Sequence, residues 1–69
     1  MHNITIEIDG YGTLTGDPYL LGALGELAKT ASFTMAQSGE PYGAKKAIYL
    51  YSEIFMELHK QFPYDFHSI

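Results

Sequence analysis

Apolar and polar residues alternate at the start of the chain: Ile4, Ile6 and Ile8 on one side of an extended backbone, Asn3, Thr5 and Glu7 on the other. This period of two predicts a strand over about 3–8 with one buried face. Asp9-Gly10 is a hairpin signal, since both residues tolerate positive φ, and Gly12-Thr13-Leu14-Thr15 supplies the return strand over about 12–15. Side chains select the register. A two-residue loop at Asp9-Gly10 pairs Ile6 with Thr13 and turns Leu14 to solvent, whereas a three-residue loop through Tyr11 pairs Ile6 with Leu14. Burial of one leucine favours the second arrangement by about 1.5–3 kcal/mol.

Beyond Gly16, which is expected to stop the strand, the spacing becomes helical. Asp17-Pro18 reads as a helix start, an N-cap carboxylate followed by a proline that loses no hydrogen bond at the first helical position. Leu20, Leu24, Leu27, Ala31 and Met35 form one stripe; Gly22, Gly25, Ala28, Ser32 and Ala36 form a second, made of small residues. The helix is expected over about 17–38 with Gly39 as its C′ residue, and the weak helix formers Phe33 and Thr34 leave room for a bend near Ser32–Thr34. Glu40-Pro41 opens a second helix over about 41–62. Ala44, Ala47, Ile48, Tyr51, Ile54, Phe55, Leu58 and Phe62 line one side of it, and Lys45, Lys46, Ser52, Glu53, Glu57 and Lys60 the other. Pro63 ends this helix, and the aromatic tail 63–69 is expected to pack onto something. The whole reads as one domain over 1–69, a small α+β fold of ββαα order whose two helices run antiparallel.

Composition then bears on stability. A chain of 69 residues buries only roughly 60% of its unfolded surface, so its margin is thin. It holds no cysteine for disulfides or thiolate metal sites, and the three histidines, His2, His59 and His67, do not sit at ligand spacings. With 46% hydrophobic and 17% charged residues, apolar packing or oligomerisation is left to supply stability. The leucine stripe is expected to face the hairpin and the second helix, which turns Gly22, Gly25, Ala28, Ser32 and Ala36 outward. Glycine exposed in a helix costs about 1 kcal/mol relative to alanine, and close approach of a second helix is a reason to accept that cost. These five residues are therefore the expected self-association face of a homodimer or higher homo-oligomer.

Charge and motifs exclude more than they assign. A net charge of −4 with no arginine offers no cationic stripe for phosphates, so direct nucleic-acid binding is not expected. Ribbon-helix-helix regulators share the strand–helix–helix order, but the acidic strand positions here and the hairpin speak against that reading. Glu26 and Lys29 interrupt the apolar run 19–36, so no membrane span is expected, and the first residues lack the charged and apolar regions of a signal peptide. The expected location is the cytoplasm. Gly10-x-Gly12-x3-Gly16 has the place of a phosphate loop but no following lysine or arginine, and Asp17 repels an anion there. No serine stands in a nucleophile elbow. Glu53 and Glu57 lie one turn apart, but His59 points roughly 60° or more away from them, so they read as a solvated face. No catalytic residue, metal ligand or cofactor is assigned.

Six tyrosines in so short a chain suit protein interfaces, where a rigid ring adds area at small entropic cost. Tyr51 is expected in the core, and Tyr11, Tyr42 and Tyr49 with Glu53 and Glu57 are the expected partner-binding residues. The expectation is a non-enzymatic acidic module acting by stoichiometric binding to another protein, a regulator or inhibitor of the kind mobile elements such as phages encode. On that reading Glu53, Glu57 and Asp65 offer a sparse imitation of a nucleic-acid backbone. The alternative is a binder of a nucleotide or metabolite at an oligomer interface, using tyrosines, Lys45, Lys46 and helix N-termini.

Overall fold

The computed structural model describes residues 2–66; residues 67–69 of the aromatic tail lie outside the described residues. Strands β1 (Ile4–Ile8) and β2 (Gly12–Gly16) are followed by helices α1 (Pro18–Gln37) and α2 (Pro41–Gln61). The strands form a two-stranded antiparallel sheet, so the ββαα order follows the pattern of the sequence. Ile6 stands opposite Leu14, the register that keeps the apolar residues on one face. The Tyr11 amide closes the loop by donating to the Ile8 carbonyl at 2.9 Å. On the exposed face Thr5 pairs with Thr15, their hydroxyl oxygens 3.0 Å apart. Gly16 is the last residue of β2, paired with Ile4, so the strand runs one residue past the expected Thr15.

Both ends of α1 are closed by local chemistry. The Asp17 carboxylate accepts from the amides of Tyr19 at 2.8 Å and Leu20 at 3.3 Å, satisfying donors that a helix start leaves free. At the other end Gly39 takes φ +78°, its amide donates to Ala36, and the Glu40 amide donates to Met35. This double closure is the Schellman arrangement, and it reverses the chain within three residues, 38–40. Helix α1 runs unbroken through Ser32–Thr34.

The two helices lie antiparallel, and their mutual face corrects the sequence expectation. Gly22 abuts Leu58, Gly25 abuts Ile54 and Phe55, the Ser32 hydroxyl donates to the Ala44 carbonyl at 2.7 Å, and Met35 lies over Gly43. The small-residue stripe thus faces inward, with Gly22, Gly25 and Ser32 buried, Ala28 half-buried and only Ala36 exposed. Gly22, Gly25 and Ser32, expected to face outward, are thus taken up between the chain's own two helices. The physical reason is volume: α2 presents Ile54, Phe55 and Leu58, and these bulky side chains need a shallow groove on α1. A β-carbon at Gly25 would sit 2.7 Å from Phe55 Cε2, too close for any side chain without a shift. Leu21 is the leucine that α1 gives to the core.

Ile6, Ile8, Leu21, Ile54 and Leu58 form the buried cluster, ringed by half-buried Ile4, Leu14, Leu50, Phe55, Phe62 and Phe66. Phe66 is returned to it by a turn after Pro63, where its amide donates to the Phe62 carbonyl at 3.1 Å. Its ring then lies against Tyr19, centroids 5.3 Å apart. The leucines expected inside are outside: Leu20, Leu24 and Leu27 are 69%, 43% and 67% exposed. Ala31 is exposed with them, and Met35 is half-buried.

Candidate functional site

Helical spacing puts Tyr42, Lys46 and Tyr49 on one side of α2, four and three residues apart. The hairpin loop brings Tyr11 to the same place. The Tyr49 hydroxyl donates to the Asp9 carbonyl at 3.2 Å, and the rings of Tyr11 and Tyr49 stack with centroids 6.0 Å apart and planes 30° apart. The Lys46 ammonium lies 4.7 Å from the Tyr42 ring centroid and 5.9 Å from that of Tyr11. All four side chains remain exposed. With Lys45 they enclose a shallow hollow of about 220 Å³.

The electrostatics of the patch are mutual. Hydrogen bonding to Tyr42 holds Lys46 above the ordinary lysine value, with the charges of the Tyr42 and Tyr11 phenols acting the same way. Tyr49 is raised above the ordinary tyrosine value chiefly by desolvation, then by the carboxylates of Glu53 and Asp9 and by Tyr11. The Lys46 ammonium over the Tyr42 and Tyr11 rings is an arrangement stabilised by cation–π attraction.

Of the five expected partner-binding residues, the fold gathers Tyr11, Tyr42 and Tyr49. Glu53 borders them, lining a neighbouring acidic hollow with Glu7, Asp9 and Gly10. Glu57 does not join; its carboxylate accepts from Gln61 Nε2 at 2.8 Å one turn further on. Lys46 completes the cluster, and its spacing from Tyr42 and Tyr49 is the signal that marks it. Tyr51, expected in the core, is half-buried at a rim beneath the Lys29 ammonium, 5.2 Å from its ring centroid.

That rim belongs to a second feature, an open groove of about 630 Å³ between α1, α2 and the turn at 62–66. Its walls include Tyr19, Tyr51, Phe55 and Phe66, with Lys29, Glu26 and His59 among them. Lys29 and Glu26 pair at 3.2 Å. Among the described residues no group of three or more His, Asp or Glu is placed to hold a metal ion. No helix among them is long and apolar enough to cross a membrane. No family model, curated protein or solved structure matches the chain.

Proposed function

We propose that this chain is a non-enzymatic interaction module that regulates or inhibits another protein by stoichiometric binding, in the cytoplasm. The observation that carries the reading is the convergence of Tyr11, Tyr42 and Tyr49 around Lys46 on one exposed patch. Rings held by stacking and by the Tyr49–Asp9 hydrogen bond have lost rotamer freedom before binding, so they contribute area at low entropic cost. Asp9 and Glu53 at the patch border, in a chain of net charge −4, suit a partner with a cationic surface and speed its encounter. The cysteine-free sequence is compatible with a reducing compartment.

The test uses the immobilised chain and lysate of its source cells, followed by titration of the captured protein after purification. Saturation at one partner per chain, with Tyr42→Ala weakening Kd by tenfold or more, is the expected result. Equal retention by wild type and a Tyr11→Ala, Tyr42→Ala double variant would remove the patch from the reading.

A second reading, small-ligand binding, is favoured by the aromatic groove that holds Lys29, Glu26 and His59. A thermal-shift screen with nucleotides and metabolites tests it, and flat melting curves throughout would exclude it.

A further inference from the structure

The groove between α1, α2 and the turn at 62–66 is walled by two pairs of rings. Tyr51 and Phe55 have centroids 5.1 Å apart, and Tyr19 and Phe66 5.3 Å apart. Its volume of about 630 Å³ is that of a small-molecule site, for which ~300–1,000 Å³ is usual. Charge narrows what such a site would take. Glu26 and Asp65 supply its carboxylates and Lys29 its ammonium. Lys29 is paired with Glu26 at 3.2 Å, whereas the Asp65 carboxylate enters no ion pair among the described residues. One negative charge is therefore left over, beside rings whose faces are also negative. The chain itself shows what those faces attract: the Lys29 ammonium stands 5.2 Å from the Tyr51 centroid.

We propose that the groove binds a small organic cation, an alkylated or quaternary ammonium carried on an apolar body. The proposal rests on the small-ligand reading of this groove and names the class of ligand. The ammonium head lies against ring faces with the Asp65 carboxylate as its counter-charge, and the body packs on the remaining apolar wall. An alkylated head suits this lining better than a primary one. A primary ammonium brings three N–H donors and a tightly held hydration shell, and ring faces do not replace those hydrogen bonds. Alkyl groups spread the charge over a surface that packs against the rings, which is how aromatic cages hold such cations. A neutral ligand leaves the Asp65 charge unused, and an anion meets it with repulsion.

The test is a proton–nitrogen NMR titration of the full chain with three probes: choline, dimethylbutanol as its uncharged carbon isostere, and benzoate. Choline is expected to shift the amides of Gly22, Ala23 and Lys29 and to bind at least about fivefold more tightly than the isostere. Asp65→Asn and Tyr19→Leu are each expected to weaken choline by about threefold or more, and Tyr19→Phe, which keeps the ring, to retain it. Lys29→Gln is expected to strengthen binding about twofold, since it removes a like charge and uncovers the Tyr51 face. Lys60→Gln makes the same change of net charge outside the groove lining and is expected to leave Kd unchanged. Equal affinity for choline and its isostere, or preference for benzoate, overturns the cation and leaves the small-ligand reading standing. Choline binding that folded Asp65→Asn and Tyr19→Leu both leave unaltered overturns it equally. No shift of the groove amides by any probe at tens of millimolar also overturns the proposal, and flat melting curves in the wider screen then remove the small-ligand reading as well.

Discussion

Two glycines that look alike in the sequence occupy opposite physical situations. A β-carbon at Gly25 meets the Phe55 ring at 2.7 and 3.0 Å and Ile54 at 3.4 Å, all within the helix interface. At Gly43 the close atom is the sulfur of Met35, at 2.7 Å, the end of a flexible side chain. Gly25→Ala is therefore expected to destabilise by about 1–2 kcal/mol, overpacking outweighing the gain in helix propensity. Gly43→Ala is expected to stabilise by up to about 1 kcal/mol as Met35 moves aside. Urea denaturation of both variants checks the pair; stabilisation by Gly25→Ala would contradict the inward placement of that stripe. Tyr49 gives a pH prediction. Its folded value lies above the ordinary 10.0, so the unfolded chain ionises first, and stability present below that pH is lost as pH rises through the tyrosine range. The Lys46 shift is also upward, from 10.5, and acts in the same direction and window. Absorbance titration near 295 nm is expected to show a late phenol that disappears in Tyr49→Phe, with a shallower alkaline loss of stability in that variant.

At the scale of elements, ends and registers follow from neighbours a few residues apart. The Asp17 cap, the Gly39 closure and the Ile6–Leu14 pairing were all legible in the sequence because each rests on local chemistry. Asp17→Ala is expected to cost about 1 kcal/mol and Asp17→Asn much less, since asparagine keeps the acceptor for the Tyr19 amide. Guanidinium denaturation distinguishes them, and equal midpoints for Ala and Asn would show that the cap contributes nothing. The orientation of α1 was not legible. Leu20-Leu24-Leu27-Ala31 and Leu21-Gly25-Ala28-Ser32 have identical spacing, one residue and so roughly 100° apart on the wheel. Amphipathicity alone favours the first. Complementarity to Ile54, Phe55 and Leu58, together with the Ser32–Ala44 hydrogen bond, selects the second.

For the whole molecule, the small core leaves stability to peripheral packing. Phe66 lies over Gly22, with Cε1 3.2 Å from where a β-carbon would stand, and edges toward Phe62 at 5.9 Å. Full burial of a phenylalanine makes its loss worth about 3–5 kcal/mol; for this half-buried ring about 1–2 kcal/mol is expected. Phe66→Ala should accordingly lower the melting temperature by about 4–8 °C per kcal/mol lost, measured by calorimetry. An unchanged transition would mean that packing of the Phe66 ring adds nothing to stability.

The sequence by itself determined the elements, their ends, the hairpin pairing and the excess of tyrosines, because periodicity, caps and turn residues act over a few positions. It also marked three tyrosines that share a patch, and for Tyr42 and Tyr49 helical spacing was enough. Only the tertiary structure decided that the hairpin loop carries Tyr11 to them, a contact between positions 11 and 49 that no local rule reaches. The tertiary structure also decided which stripe of α1 is the interior. That choice depends on the shape of a second helix, and packing bulk against glycine leaves the leucines on the surface.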